Sequence, residues 1–572
     1  MNIDTVTTAP LLRANGQHHE DSRCVECTPG TAVRGATWYK TEELSSLRTV
    51  GLPVYYDGEN VLMMPIGHAL VTGSTGTGKT EVFYKNVLHL LGSLPEDTCP
   101  SFLTTDLKGD ISEAECAYLR ARGYEVLVLD MRHPFQSTRY NFLTEIYDAY
   151  HERIRLLHEI KKGTILVYTE NGVRHDSSEE AICAANARAL TLFDEIERTL
   201  TDLAHIIVPD GDPKDRTWVE GARTMLRAII FTMLRDSEDD KNGMTRETFT
   251  FANVCRAAFS TGEDCEEICS WLEPAQDILC VRSALTGNYR LRAKVTRDGY
   301  VSTLNTALAA YSANALAALT ATSDDFSLDD IAKSKKPYAI FLITDDRQKT
   351  TNSLAMIFIN NLIARLTSAA DDAETHALPR DFIVMADEFA NMPAMPSISE
   401  KITTLRSRRI WLVMAVQSAP QLEMVYGRHS AAILQDNCDL HLFIGCNNDE
   451  TMERFVHSMG KKAGVKTTMN ISNTGAVSAS KHTEDVPVVH KSDLDRLTLG
   501  HFYVRARRTE NLRSYMTPFF MQSHPAYPPE RARPFRAFDP TADMYDIYEV
   551  VKRREKEEEE EETPFSRRFS FN

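Results

Sequence analysis

The sequence predicts an α/β fold in which a mostly parallel, doubly wound sheet is interrupted by an inserted all-α domain. One observation is the loop at residues 73–80, which matches the phosphate-binding pattern G-x-x-x-x-G-K-[ST] between an apolar run and a helical pattern. Another is a series of apolar runs that end in carboxylates, as parallel strands do at a functional edge. The last is residues 176–321, where helical patterns follow one another without a strand of comparable strength.

Composition and charge narrow the class of protein. The 572 residues are 42% hydrophobic and 25% charged, which is ordinary for a globular protein of about two to four domains. A net charge of −17 argues against a simple DNA-coating protein, although it leaves room for DNA in a local basic channel. The eleven scattered cysteines are typical of a reducing cytoplasm.

Neither a membrane span nor a signal peptide is expected from the sequence. The longest charge-free run, residues 299–323, is rich in Ser, Thr, Asn and Ala rather than Leu, Ile and Phe. The first 16 residues lack a basic start followed by an apolar middle. We therefore expect a cytoplasmic protein.

The first 60 residues are predicted to be an N-terminal arm and a peripheral segment. Residues 1–35 are polar and irregular, and we interpret them as a flexible arm. Two histidines and two cysteines lie close together there, so a Zn²⁺ site is the alternative, although their spacing matches no standard finger. They are His18, His19, Cys24 and Cys27. Residues 36–60 are expected to pack on the outside of the core domain.

The loop at residues 73–80 predicts nucleotide binding. Its glycines let backbone N–H groups converge on a phosphate, and the following helix adds its positive dipole end. Lys79 would reach the β- and γ-phosphates and Thr80 would bind Mg²⁺, so ATP and Mg²⁺ are the expected cofactors. The alternative is a chance Gly/Thr-rich turn. The phosphate-binding residues are Gly73, Ser74, Thr75, Gly76, Thr77, Gly78, Lys79 and Thr80.

The nucleotide-binding domain is predicted in two parts, residues 61–175 and 322–525. The first part has the pattern strand, helix, strand, helix, strand, with strands that end at Asp106 and Asp130. The second part contains further apolar runs of strand length. These runs are residues 337–344, 381–388, 410–417, 439–445 and 500–507.

Between these parts, residues 176–321 are predicted to form the all-α domain. Three of its cysteines are expected to pack in its core rather than to bind a metal, because no histidine lies near them. They are Cys265, Cys269 and Cys280.

Two segments outside the sheet are predicted to lack a fixed structure. Residues 460–490 are rich in Ser, Thr, Asn and Lys and are interpreted as a mobile excursion. Residues 526–572 form a C-terminal acidic tail with an unbroken run of glutamates at 557–562. We interpret this tail as disordered solvated charge, with a docking peptide as the alternative.

Residues 382–388 have the form of a Walker B strand, an apolar run followed by Asp-Glu. Asp387 would hold Mg²⁺ together with Thr80, and Glu388 would polarise the attacking water as a general base. The alternative is a strand end with two solvated acids. The helical insertion accounts for much of the long separation between Lys79 and Asp387.

Polar residues near the neighbouring strands extend this hypothesis. Gln417 closes the next strand, where an amide can sense the γ-phosphate and couple it to motion. Asp106 ends another strand and is expected to support the site from behind. Arg406, Arg408 and Arg409 lie between the two later strands, either as a solvated face or as a source of an arginine finger for a neighbouring subunit.

Several strings together make the chain similar to the type IV secretion coupling proteins of the TraG/TraD conjugation family. The resemblance covers most of residues 36–510 and is strongest at 381–446. The strings are the P-loop and residues 105–110, 139–142, 385–392, 404–410, 416–422, 426–427, 437–440 and 443–445.

The resemblance implies a RecA-like P-loop ATPase with an all-α domain, assembled as a homo-hexamer. Such motors use ATP hydrolysis to pass single-stranded DNA with its attached relaxase to the subunits of a secretion channel. The resemblance also points to Arg406 as the finger that acts on a neighbour, which leaves Arg408 and Arg409 as structural or DNA-facing residues.

The sequence departs from the family pattern in three ways. Leu107 and Phe142 stand where the family commonly has Pro, and neither change removes a phosphate-contacting group. Many members begin with membrane-spanning helices, and none is visible here. We therefore expect either a soluble branch of the family or a separate subunit that holds this protein at the inner face of the cell membrane.

Two other functions stay open on the sequence alone. One is a double-stranded DNA pump of the FtsK/HerA kind, which the strings around Asp387 and the helical insertion disfavour. The other is a nucleotide-gated receptor that docks a relaxase or a secreted protein without processive transport.

Overall fold

A computed structural model describes residues 4–7, 24–170, 173–345, 349–471, 477–507, 509–523, 527 and 533–566. The strands are β1 Asp4–Thr7, β2 Cys24–Glu26, β3 Thr37–Lys40, β4 Gly51–Tyr56, β5 Asn60–Pro65, β6 Ala69–Gly73, β7 Ser101–Asp106, β8 Glu125–Asp130, β9 Tyr168–Glu170, β10 Val173–His175, β11 Tyr338–Ile343, β12 Phe382–Ala386, β13 Ile410–Val416, β14 Leu440–Gly445, β15 Lys461–Ile471, β16 Val477–Pro487, β17 His501–Ala506 and β18 Asn511–Tyr515. The helices are α1 Lys85–Gly92, α2 Asp110–Ala121, α3 Thr144–Lys162, α4 Ser178–Ile207, α5 Arg216–Asp236, α6 Phe251–Phe259, α7 Glu266–Leu272, α8 Leu279–Ala284, α9 Lys294–Ala309, α10 Asn314–Leu319, α11 Leu328–Lys333, α12 Lys349–Asp372, α13 Ile398–Leu405, α14 Ala419–Asn437, α15 Asp449–Ser458, α16 Lys491–Asp495 and α17 Ile547–Ser566.

Ten strands form one central sheet, in the order β2-β18-β17-β14-β6-β13-β12-β7-β11-β8. The strands from β14 to β8 in this order are all parallel to their neighbours, whereas β17 runs antiparallel to β14 and to β18. One strand, β13, separates the P-loop strand β6 from the predicted Walker B strand β12. Parallel pairing places the carboxyl ends of β6, β12 and β13 at one edge of the sheet, as the sequence predicts.

The central strands are buried on both faces, which explains why they are continuous apolar runs. In β12, Phe382 and Val384 pack into one hydrophobic cluster, whereas Ile383 and Met385 pack into another on the opposite face. Helices α1 and α2 and the small sheet β3-β5-β4 cover the second face, and helices α12, α13 and α14 cover the first. Each fully buried large apolar side chain contributes about 1.5–3 kcal/mol of burial free energy.

The region predicted as an all-α domain contains helices α4 to α10 and shares the hydrophobic core of the first face. Helix α3 lies before the predicted boundary at residue 176, yet it packs along α4. Cys265, Cys269 and Cys280 are buried in this core, as the sequence predicts. Burial raises the pKa of the Cys280 thiol to about 12, so this thiol is protonated at neutral pH.

The N-terminal arm is more ordered than the sequence predicts. Strand β2 pairs in parallel with β18, and Cys27 directly after it is buried. The prediction of a flexible arm is therefore wrong for residues 24–35, because β2 covers the otherwise unpaired edge of the sheet. His18 and His19 lie outside the described residues, and no group of metal-ligating side chains is found within the described ranges.

The predicted mobile excursion at residues 460–490 contains a regular antiparallel hairpin. Lys461 of β15 pairs with Pro487 of β16, and Ile471 pairs with Val477. Strand β1 adds to the outer side of β15. The polar composition of this segment gave no sign of strands. Backbone pairing between two strands does not require alternating apolar residues, so composition alone does not reveal it.

The C-terminal segment docks on the all-α domain, so the prediction of a disordered tail is wrong for residues 533–557. The buried carboxylate of Asp236 accepts hydrogen bonds from Tyr545, Arg554 and Trp271, the last at 2.7 Å. Tyr545, Ile547 and Val550 are buried in the core cluster of that domain. These apolar residues precede the glutamate run and hold the segment against its own chain.

One helix in the described part of the chain is long and apolar enough to cross a membrane by composition alone. It is the stretch Thr350–Asp372 of α12, with 67% of the apolar window buried inside the protein. Its residues contribute to the core between the sheet and the all-α domain.

Candidate active site

The P-loop is shaped by three glycines that no other residue could replace without strain. Gly76 and Gly78 have φ values of +84° and +91°, which lie in the left-handed region that side chains disfavour. A Cβ on Gly73 would lie 2.7 Å from Cγ of Lys79, so only glycine lets this lysine fold back across the loop. The loop is also tied to the end of β14, because the Ser74 N–H donates to the Gly445 carbonyl at 2.8 Å.

Lys79 is buried, and its ammonium contacts both halves of the site. It donates to the Gly73 carbonyl at 2.6 Å and to Oε1 of Glu388 at 3.0 Å. Thr80 follows it at the start of the Lys79–Tyr84 turn, which is π-helical and continues into α1. The structure therefore joins the P-loop to the Walker B segment, although the two are far apart in sequence.

The Asp387 backbone is fixed from two sides at the end of β12. The Thr105 hydroxyl donates to the Asp387 carbonyl at 3.0 Å, and the Tyr84 hydroxyl donates to the Ala386 carbonyl at 3.2 Å. Burial raises the pKa of the Asp387 carboxyl to about 6, while the nearby Lys79 ammonium acts in the opposite direction. A buried carboxylate is an oxygen ligand of the kind that Mg²⁺ prefers.

Glu388 is held in a strained conformation with every carboxylate oxygen engaged. Its φ and ψ are 54° and 42°, in the left-handed region, where a non-glycine residue needs support from its surroundings. Its Oε1 accepts from Lys79, and its Oε2 accepts from the Gln417 amide at 2.7 Å and the Asn391 amide at 3.2 Å. Lys79, Glu388 and Gln417, predicted separately, thus meet at one point.

The Asp106 carboxylate is engaged by backbone groups that follow its strand. Its carboxylate accepts the backbone N–H groups of Gly109, Ile111 and Ser112 at 2.8 to 3.0 Å. It therefore caps the first turn of α2. Burial raises the pKa of this carboxyl, and the cap hydrogen bonds oppose that shift.

Arg406 lies at the opposite edge of the sheet from the other predicted catalytic residues. It precedes β13, whose seven residues separate it from Gln417. At about 3.3 Å per residue this is roughly 20 Å, too far to meet Glu388 of the same chain. Its guanidinium instead pairs with Asp439, beside the buried His68.

The other two arginines of this stretch make structural contacts. Arg408 pairs with Asp371 of α12 at 2.7 Å, and Arg409 pairs with Asp381 at 2.6 Å. Asp381 also accepts from the indole N–H of Trp411 at 2.8 Å. These contacts favour the structural interpretation of Arg408 and Arg409 over a DNA-facing one.

Two site residues were missed by reasoning from the sequence. Asn391 and Gln421 both lie within the strings that resemble the family, but they were given no role there. The available signal was spacing, because Asn391 follows Glu388 by three residues and Gln421 follows Gln417 by four. Such spacing brings side chains together once the backbone forms a helical turn.

Solved structures with the same architecture come from a bacterial conjugative coupling protein, TrwB. TrwB lacking its first 70 residues is 14% identical, with a TM-score of 0.54, and the alignment covers 90% of this chain and 99% of that one. TrwB in complex with ADP and Mg²⁺ is 15% identical, with a TM-score of 0.54 and coverage of 90% and 97%. TrwB in complex with a non-hydrolysable ATP analogue is 14% identical, with a TM-score of 0.54 and coverage of 88% and 98%.

The family comparison agrees with the fold. No curated protein matches the chain in sequence. The family described as type IV secretory system conjugative DNA transfer matches residues 31–489. The match spans most of the sequence, and the architecture is that of TrwB, a RecA-like P-loop NTPase fold. This chain therefore belongs to the type IV secretory system conjugative DNA transfer family.

Proposed function

We propose that this chain is an ATP-hydrolysing coupling protein that recruits single-stranded DNA with its attached relaxase and translocates both to a type IV secretion channel. The observation that carries the proposal is the Glu388 carboxylate, 3.0 Å from the P-loop lysine. A base beside a phosphate-binding lysine is what activation of water for phosphoryl transfer requires. Membership of a conjugative DNA transfer family supports conjugation as the process in which the protein acts.

Each residue of the nucleotide edge has a role in this proposal. Lys79 and the P-loop N–H groups bind the phosphates, while Thr80 and Asp387 hold Mg²⁺. Glu388 accepts the proton of the attacking water, and Gln417 couples that carboxylate to β13. When bound, ATP would supply the phosphoryl group, and Mg²⁺ would neutralise part of the phosphate charge. TrwB structures that contain ADP with Mg²⁺ or an ATP analogue support nucleotide and Mg²⁺ as the cofactors.

The proposed domains are the two-part nucleotide-binding domain and the all-α domain. Residues 61–175 and 322–525 supply the nucleotide-binding domain, and residues 176–321 supply the all-α domain. Lys401 of α13 links the two, because its ammonium contacts Asp202 of α4 at 3.1 Å and Asn360 of α12 at 2.7 Å. Helix α13 begins ten residues after Glu388, so a movement of the Walker B segment has a direct path to the all-α domain.

A ring of six copies is proposed from the family resemblance, and the position of Arg406 supports a site that is shared between copies. Its side chain is 49% exposed at the edge opposite Glu388. An exposed arginine there can reach a γ-phosphate only across a subunit boundary. In a head-to-tail ring, each site would be completed by Arg406 of the neighbouring copy.

The proposed partners are single-stranded DNA, the relaxase and the channel subunits. A net charge of −17 would repel DNA from the outer surface of a ring and leave a basic central channel as the favourable path. We also propose a cytoplasmic protein that is peripheral at the inner face of the cell membrane and held there by a separate subunit.

Steady-state ATP hydrolysis, with and without single-stranded DNA, tests the proposal. We expect turnover that single-stranded DNA stimulates and that Lys79→Ala abolishes by removing the phosphate-facing ammonium. Stimulation by double-stranded DNA alone would instead favour a pump of the FtsK/HerA kind. Nucleotide binding without turnover under any DNA condition would favour the nucleotide-gated receptor and overturn the motor.

A further inference from the structure

Two amide side chains surround the Glu388 carboxylate without a role in the proposed chemistry. Asn391 donates to Oε2 of Glu388 at 3.2 Å, the same oxygen that accepts from Gln417. Gln421 donates to the Asn391 side-chain oxygen at 2.7 Å. The Gln421 oxygen in turn accepts the backbone N–H of Gln417 at 3.2 Å. The three amides therefore form a closed chain of hydrogen bonds around one carboxylate oxygen.

This amide chain joins two segments that are separate in sequence. Glu388 and Asn391 follow β12, whereas Gln417 and Gln421 end β13 and begin α14. The same two segments are also held by the Phe389 and Tyr426 rings, which stack with centroids 5.3 Å apart and planes 8° apart. The Tyr426 hydroxyl accepts the Met395 N–H at 3.4 Å. The loop after β12 and the start of α14 are thus fastened at three places.

The loop needs this support because strain marks both of its ends. Glu388 has φ of 54° and Ser397 has φ of 52°, both unfavourable for residues with a Cβ. Such conformations cost about 1–3 kcal/mol each and persist only where neighbouring contacts hold them. Asn391 itself is exposed, so its side chain contributes to the carboxylate contact and not to the hydrophobic core.

We propose that Asn391 and Gln421 are positioning residues for Glu388, with Asn391 acting directly and Gln421 acting through Asn391. This inference rests on the proposed role of Glu388 as the general base. Two amide donors on one oxygen hold the carboxylate in one orientation, as a base that must reach the attacking water requires. Because Lys79 also serves the phosphates, the amides are the partners that keep the carboxylate in place during catalysis.

The test compares Asn391→Ala and Gln421→Ala with wild type in steady-state ATP hydrolysis. Loss of one charge-assisted hydrogen bond predicts a fall in kcat of about tenfold for Asn391→Ala, with KM for ATP unchanged. Gln421→Ala should lower kcat in the same direction, again with KM for ATP unchanged.

The double variant and a matched control sharpen the test. Asn391→Ala with Gln421→Ala should be no worse than Asn391→Ala alone, because Gln421 acts through Asn391. Asn352→Ala is the control: its amide donates to the Asn391 backbone carbonyl at 3.3 Å and does not contact the carboxylate. It should keep the wild-type kcat and KM.

The outcomes separate this inference from the proposed function. A wild-type kcat in Asn391→Ala would overturn the inference, provided that Glu388→Gln is inactive in the same assay. A loss of activity that lies wholly in KM would overturn it as well. An active Glu388→Gln would overturn the general-base assignment and the inference together. If Asn391→Ala proves insoluble, Gln421→Ala alone decides, since an unchanged kcat there also contradicts the proposal.

Discussion

The two edges of the central sheet each carry a cation–carboxylate pair, and the pairs differ in exposure. The side chains of Lys79 and Glu388 are 6% and 9% exposed, whereas those of Arg406 and Asp439 are 49% and 21% exposed. Removal of one partner from a buried pair leaves an uncompensated charge, whereas an exposed pair contributes only ~0–1 kcal/mol. We therefore expect the Lys79–Glu388 pair to keep one geometry, whereas Arg406 can leave Asp439 for another partner at little cost.

Substitution of Arg406 should have a larger effect on turnover than substitution of Glu388. Arg406→Ala is expected to bind ATP normally and to hydrolyse it about 10³–10⁵-fold more slowly, which is the contribution of arginine fingers in other enzymes. Arg408→Ala is the matched control, because it removes a neighbouring arginine that pairs with Asp371 within its own chain. Measured kcat and ATP affinity for both variants decide. Near-wild-type turnover in Arg406→Ala would remove the functional difference between the two edges.

Substitution of Glu388 should cause the next largest fall in kcat. Glu388→Gln keeps the hydrogen bonds from Gln417 and Asn391 within reach but cannot accept the proton of water. We expect ATP binding to persist and kcat to fall by about 10²–10⁴. Glu400→Gln, at an exposed position on α13, should retain the wild-type rate. Single-turnover measurement of hydrolysis distinguishes slow chemistry from slow product release, and a normal chemical step would refute the base.

Acidification should weaken the fold at the Arg406 edge through His68. Burial lowers the pKa of His68 to about 4, and the Arg406 charge acts in the same direction. The unfolded chain therefore binds this proton first, so stability falls as pH drops from about 6.5 to 4, by at most ~1.4 kcal/mol per pH unit. The His68 Nδ1 accepts the Leu412 N–H at 3.0 Å, a contact that Asn can reproduce.

Urea unfolding of His68→Asn between pH 4 and pH 8 checks this expectation. The variant should show a flatter dependence of unfolding free energy on pH than wild type. His158→Asn, at an exposed position on α3, should behave as wild type does. An identical slope in His68→Asn and wild type would mean that His68 does not contribute to acid sensitivity.

Loss of the Arg406–Asp439 pair itself should have the smallest effect. Asp439→Asn is expected to change the free energy of unfolding by less than about 1 kcal/mol and to leave hydrolysis intact, because the pair is exposed. Asp381→Asn is the buried counterpart, since its carboxylate accepts from Arg409 and Trp411, and it should cost about 1–3 kcal/mol. Equal losses in the two variants would contradict the assignment of Asp439 as an exchangeable partner.

The parts of the fold that were predictable carry local patterns. The P-loop, the Walker B strand and Gln417 were found because apolar strands end in polar residues at fixed positions, and parallel pairing then brings those ends together. The structure places Glu388 in contact with both Lys79 and Gln417. The helices between residues 178 and 319 correspond to the helical spacing of that part of the sequence.

The parts that were missed depend on contacts between distant segments. Strand β2 has three residues and is defined only by its pairing with β18. The docked C-terminal segment is held by a hydrogen bond from Tyr545 to the buried Asp236. No local sequence pattern predicts this contact. Asn391 lies within a string typical of the family, but its contact with Glu388 depends on a left-handed backbone turn that composition does not specify.

Mixed oligomers of Arg406→Ala and Lys79→Ala subunits join the two edges in one measurement. Neither variant should hydrolyse ATP alone, because the first lacks the finger and the second lacks the phosphate-binding lysine. When subunits exchange, an intact Lys79 site can borrow Arg406 from its neighbour, so ATP hydrolysis should recover in part and peak at intermediate mixing ratios. No recovery at any ratio, although subunit exchange is demonstrated, would contradict a site completed across the subunit boundary.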